Sequence, residues 1–112
     1  MKVITKKKMF RVVTLLLLGF IIIQFIQPPF ENPPVTADIT APADVKAVLK
    51  KACYDCHSNE TQLAWFDRIS PVSWMVAKDI KAGRHAFNFS EWNKLPVATQ
   101  KDKFWEIANS FA

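Results

Sequence analysis

The stretch from Lys8 to Gln27 reads KMFRVVTLLLLGFIIIQFIQ, and it constrains this chain more than any other. Its charges are confined to its first four residues, and as a helix of about 20 residues it would reach roughly 30 Å, the thickness of a bilayer's hydrocarbon core. The sequence therefore predicts a basic tip and transmembrane helix over residues 1–27. Lys2, Lys6, Lys7, Lys8 and Arg11 precede or open the apolar run, so the positive-inside rule keeps the N-terminus cytoplasmic and places everything after Gln27 on the far side. Cleavage as a signal peptide is disfavoured, because the run passes into Gln27, Pro28 and Pro29 with no small-x-small site.

Those same five basic residues account for the whole formal net charge of +5. From residue 12 onward ten basic side chains match ten acidic ones. The exported part is near neutral and offers no electrostatic footprint for nucleic acid, which is excluded as a partner.

Residues 28–41, PPFENPPVTADITA, hold four of the seven prolines and show no amphipathic period, which predicts an extended, semi-rigid linker. A globular domain then occupies 42–112. At about 70 residues its hydrophobic core is marginal unless a staple, metal or cofactor supplements it. Its pattern is helical throughout. Pro42 opens a helix with Val45, Val48, Leu49 and Ala52 as its apolar face. Ser70 and Pro71 start a second that carries Val72, Met75, Val76 and Ile80 and stops at Gly83. Ser90 before EWNKL and Pro96 before VATQKDKFWEIANSFA mark two further starts. No stretch alternates like a strand, so the fold class is all-α.

Both cysteines of the chain stand beside one of its two histidines, in Cys53-Tyr54-Asp55-Cys56-His57. C-x-x-C-H is the attachment sequence of c-type haem. Two thiols three positions apart can each add to one vinyl group of the same porphyrin, and the next residue offers an imidazole to the iron as proximal ligand. Three rivals share these residues. A zinc site would need a fourth ligand, for which only His85 is left, and His57 lies too near the cysteines for finger spacing. A thiol-disulfide oxidoreductase would place the pair at a helix N-terminus after a strand, whereas here it ends a helix. A structural disulfide would close too short a loop to stabilise much. Haem also suits the aromatic content, with Trp65, Phe66, Trp74, Phe87, Phe89, Trp92, Phe104 and Trp105 in so small a domain, although ordinary packing accounts for any one of them.

Taken together, the apolar anchor, ENPPV, CYDCHSNET, ISPVSWMVAKDI, GR and NFSEW resemble the small membrane-anchored haem-binding domain proteins of Bacteroidetes type, which are monohaem cytochromes c. The likeness runs from the N-terminus to about Ile107. It implies haem c on Cys53 and Cys56 with His57 on the iron, in the periplasm. In that family the chain continues past the helix that here ends FWEIANSFA, into a Met-Pro pair suited to the second axial position, whereas this chain stops at Ala112. Inside it the sixth-ligand candidates are Met75, His85 or none. The plainer reading makes Met75 a flexible core filler and His85 a solvated residue at a helix end.

The expectation is thus an N-terminal transmembrane helix in the inner membrane plus a small cytochrome c-like bundle of short helices around haem. Such a protein would not be an enzyme; it would pass single electrons between periplasmic redox partner proteins. The alternative is a haem-based ligand-binding or sensing module with an open sixth coordination position.

Overall fold

The computed structural model describes residues 3–112, so Lys2 of the basic tip lies outside the described residues. Among them the chain is helical and forms no strand, in keeping with the all-α expectation. The helices are α1 (Lys6–Ile23), α2 (Ala43–Ala52), α3 (Tyr54–His57), α4 (Val72–Ala86) and α5 (Val97–Ser110), with 3-10 turns at Trp65–Arg68 and Phe89–Lys94.

Helix α1 corrects the span read between Lys8 and Gln27. It starts at Lys6, so four basic residues fall inside it, and it ends at Ile23. No helix among the described residues is long and apolar enough to cross a membrane. The early stop has a local cause. The Gln24 side-chain amide pairs with the Ser70 backbone, accepting from its N–H at 2.9 Å and donating to its carbonyl at 3.0 Å. Gln27 Nε2 donates to Ser70 Oγ at 2.9 Å, and the Trp74 indole N–H donates to the Ile26 carbonyl at 2.7 Å. These bonds turn the chain out of the helix and fasten its end to the start of α4. None of the α1 side chains is buried.

Residues 28–41 form neither helix nor strand, but they are not the free-standing linker that their prolines suggest. The Ala37 and Ile39 N–H groups donate to the Ser90 and Phe89 carbonyls at 2.9 Å each, and the Asn93 N–H donates to the Ala37 carbonyl at 3.0 Å. Ile39 is 3 % exposed and belongs to the core. The domain therefore begins well before Pro42.

That core is small. Ile39, Tyr54, Phe89 and Trp92 are buried together, with Leu49, Cys53, Phe87, Leu95 and Ile107 packed around them. Trp92 sits at its centre, 5.4 Å from the Phe89 ring, 4.7 Å from Phe104 and edge-on to Phe87 at 6.2 Å. Such tilted and edge-to-face pairs add about 0.5–1.5 kcal/mol each beyond area burial. Helix α2 presents Leu49 to this cluster, whereas Val45 and Val48 of the same apolar face are exposed. The start expected at Ser90 is a 3-10 turn, capped by Asn88 Oδ1, which accepts from the Ser90 N–H at 2.9 Å. Helix α5 follows Pro96 as the sequence predicts.

Candidate functional site

The five residues from Cys53 to His57 straddle a break. Helix α2 ends as Cys53 leaves helical geometry with φ −125°, and α3 begins at Tyr54. Tyr54 is the pin of this corner. Its ring is buried and stacked on Phe89, 5.5 Å between centroids, and its hydroxyl donates to Asp38 Oδ1 at 2.9 Å. Lys46, one turn into α2, donates to the other carboxylate oxygen. With Tyr54 turned inward, its neighbours turn outward: both cysteines are free thiols, Cys53 half-buried and Cys56 exposed.

His57 is held from two sides. Its ring lies flat on Phe87, 3.9 Å between centroids and 5° from parallel. Nδ1 lies 2.9 Å from the Gly83 carbonyl oxygen and 3.3 Å from that of Phe87. A carbonyl only accepts, so Nδ1 carries the proton and the lone pair of the neutral ring is on Nε2. The imidazole is therefore delivered in one tautomer and one plane.

Gly83 makes this possible. It lies inside α4, which continues to Ala86, and so it is not the helix stop that the sequence suggests. It is buried where α4 crosses α3: a Cβ on it would come within 3.0 Å of the Cys56 carbonyl carbon and 3.2 Å of the Cys56 Cβ, and closer still to the carbonyl oxygen. Only a bare Cα lets the helices approach this closely.

Arg84 locks the loop that follows the motif. Its Nε donates to the Ser58 carbonyl at 2.7 Å, Nη1 to the Glu31 carbonyl at 2.9 Å, and Nη2 to Asn32 Oδ1 at 2.8 Å and Thr61 Oγ1 at 3.0 Å. Thr61 Oγ1 in turn donates to the Asp55 carbonyl at 2.6 Å, and Ser58 Oγ to the Tyr54 carbonyl at 2.7 Å. The Asn59 N–H donates to Ser90 Oγ at 2.9 Å. S-N-E-T after the histidine is thus a hydrogen-bonded brace that returns the chain to the motif it leaves.

The charges around the site follow the same geometry. Burial works against ionisation of Asp38, but the hydrogen bonds from Lys46 and Tyr54 outweigh it and hold the carboxyl below its usual range. Burial, with the nearby Asp38 carboxylate, pushes the Tyr54 phenol well up. Burial raises the Cys53 thiol, and burial followed by the charges of Asp55 and Asp79 raises Cys56. Both sulfurs are held as thiols at neutral pH.

The sixth-ligand candidates stand apart from this arrangement. Met75 is 66 % exposed and His85 is exposed, so Met75 does not fill the core as the plainer reading has it. Among the described residues no group of three or more His, Cys, Asp or Glu converges on a metal-sized site. Haem iron does not require one, because the porphyrin brings its own nitrogens and asks the protein for axial ligands alone. The donor set fits such a group: two free thiols at i and i+3, an imidazole with its lone pair on Nε2, and an exposed apolar stripe of Val45 and Val48 leading up to Cys53.

Sequence reasoning singled out Cys53, Cys56 and His57 as candidates and missed Asp38, Gly83, Arg84 and Phe87 as the residues that position them. Compared with known families, residues 18–112 match the profile described as the haem-binding domain. No curated protein and no solved structure matches the chain.

Proposed function

The chain belongs to the haem-binding domain family, and from that membership we propose that it carries haem c on Cys53 and Cys56, with His57 on the iron, as a membrane-tethered single-electron carrier. The observation that carries this reading is the His57 ring, whose Nδ1 proton is committed to Gly83 and whose Nε2 is left as the metal-binding nitrogen. When bound, haem supplies a one-electron couple, with axial ligation and burial setting its potential. The chain's own part is to present two thiols and one imidazole from a single corner, fix the ring plane with Phe87, and hold the loop behind it with Arg84. In this reading the role is single-electron transfer.

The tether is α1. Its apolar side chains from Val12 to Ile23 are all open to the surroundings or only partly covered, and Phe25 and Ile26 continue the apolar surface past its end. On this account that apolar surface enters the membrane, with the basic side chains of Lys6, Lys7, Lys8 and Arg11 reaching to its interface. In this reading the domain faces the periplasm of the inner membrane and meets redox partner proteins there.

The test is to produce the full chain with a c-type maturation system and denature it. Haem should stay with the polypeptide through acidified organic solvent, and Cys53→Ala with Cys56→Ala should release it. Haem that extracts from the unaltered chain refutes covalent attachment. The exposure of Met75 and His85 favours one second reading, a ligand-binding module with an open sixth position. An immediate spectral shift of the reduced protein on adding carbon monoxide supports that module, and bands indifferent to the gas support the carrier.

A further inference from the structure

A groove of about 910 Å³ runs between the segment from Ile26 to Glu31 and the outer face of α4, walled by Ile26, Phe30 and Trp74 and continued by Lys78, Lys81 and Arg84. We propose that it seats an anionic phospholipid of the membrane that α1 enters, with an acyl chain against Ile26, Phe30 and Trp74 and the phosphate on Lys78 and Lys81. The inference rests on the reading of α1 as a membrane anchor.

Three observations carry it. The groove is continuous with the anchor, because Ile26 is both the last apolar residue after α1 and a wall of the groove, and the Trp74 indole is bonded to its carbonyl. The domain is therefore fastened at the level where α1 leaves the apolar layer, and tryptophan is the side chain enriched at that level. The lysines stand close to the apolar wall. At 1.5 Å per residue, Lys78 lies about 6 Å and Lys81 about 10 Å along α4 from Trp74, within reach of a phosphate whose acyl chain rests on that indole.

The charge is also of the right sign and available. Lys78 and Lys81 make no ion pair or side-chain hydrogen bond among the described residues, whereas the Arg84 guanidinium is bound to Ser58, Glu31, Asn32 and Thr61. Glu31 is the one acidic residue that lines the groove, and Asp79 lines a different pocket with Cys56. An apolar wall that ends in two free cations matches an acyl chain that ends in a phosphate.

The experiment places the full-length haem-loaded chain in nanodiscs of phosphatidylcholine, with or without phosphatidylglycerol, and measures acylation of each lysine by mass spectrometry. Lys101, exposed on α5 and outside the groove, is the internal control. Lys78 and Lys81 should each react about fivefold more slowly in the anionic discs, the scale set by one basic side chain at an anionic surface, while Lys101 changes little. Trp74→Ser should restore their rates, and Phe30→Ser should do so without touching the bond to Ile26. Equal rates for Lys78 and Lys81 in both discs, from a chain that has entered them, overturn the lipid seat and leave the anchor standing. A chain that does not enter the discs overturns both.

Discussion

Replacing Gly83 with alanine isolates the contact on which the site depends. The added methyl would lie 3.0 Å from the Cys56 carbonyl carbon and 3.2 Å from its Cβ, and nearer still to the carbonyl oxygen. Carbon atoms rest at about 3.5–4.0 Å, so α3 and α4 must part by a large fraction of an ångström. The obstacle is backbone, which cannot rotate out of the way. Overpacking of this kind costs about 1–3 kcal/mol. The separation also stretches the 2.9 Å bond from His57 Nδ1 to the Gly83 carbonyl, a loss of about 1 kcal/mol. Alanine recovers about 1 kcal/mol through its better helix propensity. The net expectation is a loss of about 2 kcal/mol, or roughly 8–16 °C in Tm for a domain of this size. Thermal unfolding of the full chain in detergent, followed by circular dichroism, measures it. Gly19→Ala is the control, since a Cβ there meets nothing within 4 Å. A Gly83→Ala protein as stable as the unaltered chain would show that propensity outweighs the close approach, and the account of the α3–α4 crossing would fall.

Three further outcomes are expected. The depressed Asp38 carboxyl contributes stability that is complete above its unfolded value near pH 4 and is lost as pH falls through its folded value. Asp38→Asn should therefore flatten the acid limb of a stability profile between about pH 2 and 5, as read by urea midpoints, and an unchanged limb would count against the Asp38 cluster. Arg84→Lys keeps the charge but not the fork that serves four acceptors, so it should destabilise by about 2 kcal/mol in urea unfolding, and a neutral result would show the brace to be dispensable. Phe87→Leu removes the flat stack on His57 and should broaden the electron paramagnetic resonance of the ferric protein by freeing the ring plane; unchanged line shapes would mean that Gly83 alone fixes it.

The candidate residues Cys53, Cys56 and His57 were legible in the sequence because they are local: two thiols and an imidazole within five positions. What holds them is not local. Asp38 reaches Tyr54 across 16 residues and Arg84 reaches Asn32 across 52. Nothing in TADIT or in AGRH marks those partners. Gly83 reads as a stop because glycine usually ends helices, yet here its missing side chain is used for close approach. The prolines of PPFENPPV correctly forbid helix, but absence of a period says nothing about tertiary bonds, and Ile39 is core all the same. Val45, Val48 and Met75 have helical spacing and still face outward, since a periodic stripe identifies a face without naming what covers it. The helices beginning at Ala43, Val72 and Val97 were foreseeable from Pro42, Pro71 and Pro96.

The segment from Ala37 to Ile39 and the turn from Phe89 to Asn93 hold one another through backbone bonds, although some fifty residues separate them. That clasp sets an order of events. Bringing the ends of so long a loop together is paid for in chain entropy before any contact rewards it, and no shorter length of chain supplies the second half. Until the stretch from Phe87 to Asn93 is available, Tyr54 lacks Phe89 and His57 lacks Phe87, and the corner that presents the thiols has no floor. The cysteines are therefore made early and seated late: about forty more residues must follow Cys53 before the corner that holds it can close.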